Sequence, residues 1–189
     1  MSARIFALLN ESVQQEFMDF ITSFQHPRMI MSFQPIVERN EVQMEAIHQT
    51  LWKLGHQLCF PRVEGENSMQ AYLMHIEDTC ILSAWGIPEP KPETNKKVQA
   101  KDIDLILIPL LAFDAHGNRV GYGKGFYDRF LMDCRPNALK IGLCLDEAVQ
   151  RIDDVEPHDI PLDLCISPIG IQLFDGFYQK NPFDSEFKP

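Results

Sequence analysis

Between Ile5 and Phe24 the apolar residues Ile5, Leu8, Leu9, Val13, Phe17, Phe20 and Ile21 recur with helical spacing, predicting a first helix ended by His26–Pro27. The run "RMIMSF" (Arg28–Phe33) suits a short strand. In "NEVQMEAIHQTLWKLG" (Asn40–Gly55) the pattern predicts a second helix. Asn40 is its N-cap, Val42, Ala46 and Leu51 form its apolar stripe, and Gly55 is its stop. "QLCFP" (Gln57–Pro61) and the alternating "MQAYLMH" (Met69–His75) read as strands, and "PEPKP" (Pro88–Pro92) as a rigid connection. The strongest strand is "DLILIP" (Asp104–Pro109), apolar enough to be covered on both faces. A glycine-rich loop follows, then a helix to about Cys134 and strands in "KIGLCL" (Lys140–Leu145) and "DLCIS" (Asp163–Ser167). Beyond Phe174 the periodicity fades, so residues 1–174 read as one domain and 175–189 as a loose or docked tail. Strands alternating with helices predict a three-layer α/β/α fold with a largely parallel central sheet, Rossmann-like. Ligands in such folds bind beyond the carboxyl ends of the strands.

Composition narrows the chemistry. The chain of 189 residues is 45% hydrophobic and 23% charged, an ordinary globular mixture, with no apolar run long enough to cross a bilayer. "MSARIFALLNESVQQEF" has one base followed by acids and does not read as a signal or transit peptide, so the expected compartment is the cytoplasm. Five scattered cysteines (Cys59, Cys80, Cys134, Cys144, Cys165) without a C-x-x-C pair predict reduced thiols. A net charge of −10 argues against nucleic acid as a partner. An anionic ligand then needs a local basic pocket, and Arg119, Lys124 and Arg129 are near enough in sequence to begin one.

Lys124 and Arg129 lie within, and Arg119 just before, "GYGKGFYDRF" (Gly121–Phe130), where glycines alternate with Tyr122 and Lys124 after the hydrophobic stretch "DLILIPLLAF". Such glycine density serves a backbone that bends sharply or approaches a ligand closely. Neither G-x-x-x-x-G-K-[ST] nor G-x-G-x-x-G is satisfied, since Phe126 stands at the last fingerprint position. The physics holds without them: loop amides and a helix N-terminus favour anions, and lysine adds a movable charge. Taken alone, the loop also fits a plain turn with a solvated lysine.

The blocks "WGIPEP" (Trp85–Pro90), "IPLLAFDAHGNRVGYGKGFYDRFL" (Ile108–Leu131) and "EPHDIPLD" (Glu156–Asp163) change the balance. From about Met31 to Pro168 the chain resembles the 5-formyltetrahydrofolate cyclo-ligase (methenyltetrahydrofolate synthetase) family. The resemblance implies ATP- and Mg²⁺-dependent closure of 5-formyltetrahydrofolate to 5,10-methenyltetrahydrofolate, with ADP and phosphate released. It implies Lys124 and Arg119 as catalytic charges on the triphosphate. Gly121, Tyr122, Gly123, Gly125, Phe126 and Tyr127 complete the ATP loop, and Asp128 and Asp159 hold Mg²⁺. Glu41, Trp85 and Tyr127 would receive a reduced folate, polyglutamylated or not. Many relatives carry a basic or small residue where Tyr122 stands.

Each residue also has a plainer reading. Glu41 suits any helix start, Trp85 and Tyr127 suit a core, Asp128 can pair with Arg129, Asp159 can serve a turn before Pro161, and Arg62 can be a surface charge. His116 and His158 are unassigned. The family usually opens with a basic helix, whereas the early base here is Arg4. That departure predicts weaker hold on ATP than on folate and low cyclo-ligase activity; the alternative is a catalytically weak or silent folate- or nucleotide-binding relative. A Rossmann oxidoreductase is disfavoured by the broken fingerprint.

Overall fold

The computed structural model describes residues 1–36 and 39–180. Helix α1 (Ala3–Ile21) is capped by Ser2, whose hydroxyl accepts from the Ile5 amide at 3.4 Å. It buries Val13, Phe17, Phe20 and Ile21, while Ile5 and Leu8 remain exposed. The helix stops at Ile21 with Thr22 as its C-cap, short of His26–Pro27.

Strand β1 (Met29–Met31) leads into a loop and then α2 (Glu45–Lys53). Asn40 is not the cap of that helix. It takes a left-handed backbone with φ 52°, and Met44 occupies the N-cap position without a side-chain bond. Short polar side chains tolerate this conformation, so Asn40 serves a turn instead. The buried face of α2 is Ile47, His48 and Leu51, with Ala46 exposed.

The remaining strands are β2 (Gln57–Glu64), β3 (Ser68–Met74), β4 (Ile81–Leu82), β5 (Pro88–Glu89) and β6 (Lys97–Val98). After a 3₁₀ turn at Ala100–Asp102 come β7 (Leu105–Pro109), β8 (Ala112–Phe113) and β9 (Arg119–Val120). Helix α3 (Phe126–Met132), β10 (Leu139–Leu143), β11 (Leu164–Ser167), β12 (Gly170–Leu173) and α4 (Asp175–Lys180) complete the described chain. "PEPKP" is thus partly a strand, since β5 pairs with β4.

Eight strands form one sheet in the order β12-β11-β10-β7-β1-β2-β3-β6. The five from β11 to β2 run parallel, and β12, β3 and β6 each join antiparallel. β7 lies at the centre, as its double-sided apolarity requires. Leu105 and Leu107 enter the core shared with α1 and α2; Ile106 and Ile108 enter the opposite core with Phe130 and Leu131 of α3. This is the expected α/β/α architecture. Cys59, Cys144 and Cys165 are buried, and all five cysteines are free thiols.

In the segment from Asp175 onward, expected as a loose or docked tail, α4 packs into the core with Phe177 buried. Lys180 donates to Asp163 at 2.7 Å and to the Ala138 carbonyl at 2.7 Å. Residues 181–189 of that tail lie outside the described residues.

Candidate active site

The glycine loop leaves the carboxyl end of the central strand through a small hairpin, β8–β9. Buried Asp114 shapes this hairpin. Its carboxylate accepts the amides of His116 at 2.9 Å, Asn118 at 3.0 Å and Ile152 at 3.2 Å, and the Asn118 side chain at 2.9 Å. Burial alone would raise its pKa, but these bonds together hold it below the usual carboxylate range. His116 therefore belongs to a turn.

Within the loop, Gly123 and Gly125 take left-handed φ values of 72° and 61°, conformations that side chains rarely adopt. Gly125 is the N-cap of α3. A Cβ on Gly121 or Gly123 would meet nothing within 4 Å, so the loop faces open space there. Lys124 is exposed at its tip. Arg129 fixes the loop from behind, donating to the Lys124 carbonyl at 2.7 Å and the Asn67 carbonyl at 2.8 Å. Its guanidinium also lies 5.3 Å from the Phe126 ring centre.

Asp128 pairs with Arg119 and not with its chain neighbour Arg129. Arg119 Nη2 lies 2.6 Å from Asp128 Oδ1, Arg119 Nη1 donates to the Ile160 carbonyl, and the Ile160 amide donates to the same Asp128 oxygen at 3.1 Å. The Arg119 side chain is only 6% exposed. This cluster clamps the segment around Asp159 beside α3. Asp159 itself accepts the Glu156 amide at 2.9 Å. Among the described residues no three His, Cys, Asp or Glu side chains gather to hold a metal.

On the other side of the loop, Tyr122 donates its hydroxyl to Glu41 Oε1. Glu41 is 8% exposed, and its second oxygen accepts the Ile36 amide at 2.6 Å. Burial raises its pKa, while Tyr122, the Ile36 amide and Arg39 act in the opposite direction. Arg39 lies 5.8 Å from the Tyr122 ring centre. Burial and Glu41 both push the Tyr122 phenol up; burial likewise raises Tyr127, which packs on the α3-side core. Trp85 is 56% exposed and meets Phe126 edge-on at 6.2 Å.

Arg62 binds Glu89 at 3.4 Å and the Pro90 carbonyl at 3.1 Å, and Arg4 is exposed in the first turn of α1. Arg39, two residues before Glu41 in "RNEV", was missed; its proximity in sequence was the available signal. Ser32 and His48 were also missed. They share a buried 2.7 Å hydrogen bond that ties the end of β1 to α2.

The sequence model of the 5-formyltetrahydrofolate cyclo-ligase family matches residues 10–168. The chain belongs to that family. A Schizosaccharomyces pombe protein named a probable 5-formyltetrahydrofolate cyclo-ligase is 29% identical over 143 residues, covering 69% of this chain and 70% of that one. A Mycoplasma genitalium 5-formyltetrahydrofolate cyclo-ligase is 28% identical over 159 residues, covering 84% and 83%. The NMR structure of Aquifex aeolicus 5,10-methenyltetrahydrofolate synthetase superposes with a TM-score of 0.78 at 25% identity, covering 100% of this chain and 89% of that one. Among the described residues no helix is long and apolar enough to cross a membrane.

Proposed function

We propose that this cyclo-ligase closes 5-formyltetrahydrofolate into 5,10-methenyltetrahydrofolate with ATP as co-substrate, releasing ADP and phosphate. One observation carries the reading: a single glycine loop presents exposed Lys124 and also touches buried Glu41 through Tyr122. A site that transfers a phosphoryl group onto a folate must join a polyphosphate half to a ring-binding half, and this loop belongs to both.

The formamide oxygen is a poor leaving group. It attacks the γ-phosphorus, the bridging bond to the β-phosphate breaks, and ADP departs. The N10 nitrogen adds to the activated carbon and loses its proton. Phosphate then leaves with the former formyl oxygen, and the electron pair on nitrogen completes the amidinium. Such transfer asks the protein mainly for position and positive charge. Arg119, anchored on Asp128, supplies a fixed charge beneath the loop, and Lys124 a movable one. The amides of Gly121, Gly123 and Gly125 line the phosphates, with Tyr122, Phe126 and Tyr127 between and beyond them. Glu41 accepts ring N–H donors, and Trp85 and Tyr127 offer aromatic faces to the pterin.

Asp128, which also anchors Arg119, and Asp159 would hold Mg²⁺, an ion that takes few protein ligands and completes its shell with water and phosphate. Bound there, Mg²⁺ would neutralise phosphate charge. Unbonded cysteines suit a reducing compartment, in keeping with a cytoplasmic enzyme and a reduced folate substrate, with or without a polyglutamate tail.

Substrate carrying ¹⁸O in the formyl group tests the route. The reading requires the label in the released phosphate. Label retained in water or in the folate contradicts it.

A further inference from the structure

Both Glu41 oxygens are occupied by groups of this chain: Oε2 by the Ile36 amide and Oε1 by the Tyr122 hydroxyl. The two donors differ in kind. The Ile36 amide is a backbone donor five residues away, which cannot leave without moving the chain that carries it. Tyr122 comes from 81 residues away, on a loop whose glycines leave its neighbours open. A buried carboxylate left without donors is costly, so the free enzyme needs a group in that place. The 2-amino-4-oxo edge of a pterin offers a paired N–H and NH₂, which matches a carboxylate face. Only one of the two protein donors can withdraw to make room.

We infer that Tyr122 is a latch, the substrate-free site's stand-in for the pterin N–H donors, which the incoming folate displaces from Glu41. The inference rests on the folate-binding reading of Glu41 given above. Displacement has a consequence for the loop. While Tyr122 holds Glu41, Gly121, Gly123 and Lys124 are tethered to the ring-binding side; once released, they are free to fold around phosphate. Tyr122 thus sets both folate affinity and its coupling to ATP. It acts through Glu41 and is a specificity-determining residue, not a catalytic one.

Tyr122→Phe keeps the ring beside Arg39 and removes only the competing hydroxyl. Calorimetric titration with 5-formyltetrahydrofolate should show dissociation constants roughly 3- to 10-fold lower in Tyr122→Phe than in wild type, the effect of one ordinary hydrogen bond no longer competing for its acceptor. Tyr72→Phe is the control, because Tyr72 makes a similar bond to Glu64 between strands β2 and β3 and its hydroxyl does not compete for Glu41. It should bind like wild type, showing that loss of a tyrosine–glutamate bond does not by itself tighten binding. Circular dichroism melting checks that each variant is folded. If wild type binds and folded Tyr122→Phe binds equally or more weakly, the latch is wrong and the hydroxyl supports the complex instead. If neither wild type nor Tyr122→Phe binds folate, the functional reading fails first and the latch with it.

Discussion

The site is decided by which few side chains face one another. Asp128 and Arg129 are adjacent in sequence, but neighbours on a helix point apart, so the carboxylate finds Arg119 across the loop. Glu41 and Lys124 were legible as candidates because each sits in a recognisable block. Arg39 above Tyr122 and the Ser32–His48 pair were not, since a contact between a loop and a distant ring leaves no periodic trace. Lys124→Ala should lower kcat by about 2–4 kcal/mol in barrier terms while folate affinity holds, as for other single electrostatic stabilisers. Single-turnover kinetics and folate titration together check this; unchanged turnover refutes the role. His48 gives a pH test. Burial lowers its pKa to about 4 from 6.5, so the unfolded chain takes up a proton that the folded chain refuses. Its contribution to stability is full above pH 6.5 and is lost as the pH falls toward 4, by up to about 3 kcal/mol at 1.36 kcal/mol per unit. Urea unfolding between these limits should therefore show a shallower pH dependence in His48→Gln than in wild type; equal slopes contradict it.

Among the elements, the double-faced apolar run of β7 was read correctly because burial on both faces removes polar alternation. The start of α2 was misread because Asn suits both an N-cap and a left-handed turn, and the sequence does not distinguish them. The six-residue α4 was too short for periodicity to register, and its position depends on a distant ion cluster. Asp163 is 1% exposed and binds Lys140 Nζ at 3.1 Å, Lys180 Nζ at 2.7 Å and the Lys140 amide at 2.7 Å. Burial pulls the Lys180 amine down to about 8. Asp163→Asn leaves two half-sheltered ammonium groups without their counter-charge and should cost about 3 kcal/mol or more, as when one partner of a buried pair is removed. Chemical denaturation measures this directly. A loss under about 1 kcal/mol, the range of a surface pair, would show that water compensates and that α4 is not anchored through Asp163.

For the whole molecule, the parallel α/β class followed from the alternation of elements, but the sheet order did not. Periodicity reports which face of a strand is buried and carries nothing about which strand lies beside it, and the antiparallel β3, β6 and β12 are set by hairpins and long connections. That order puts β7 at the centre and its carboxyl end under the glycine loop, where Glu41 from the loop after β1 can meet Tyr122. The central claim is that this meeting point is a cyclo-ligase site. Its most direct measurement follows the absorbance of the methenyl product when the protein is mixed with 5-formyltetrahydrofolate, Mg²⁺ and ATP. Product should accumulate catalytically only when ATP is present, with one ADP formed per turnover, and should fall sharply with Lys124→Ala. Product formed without ATP, or no product from a folded protein that binds both substrates, would contradict the account.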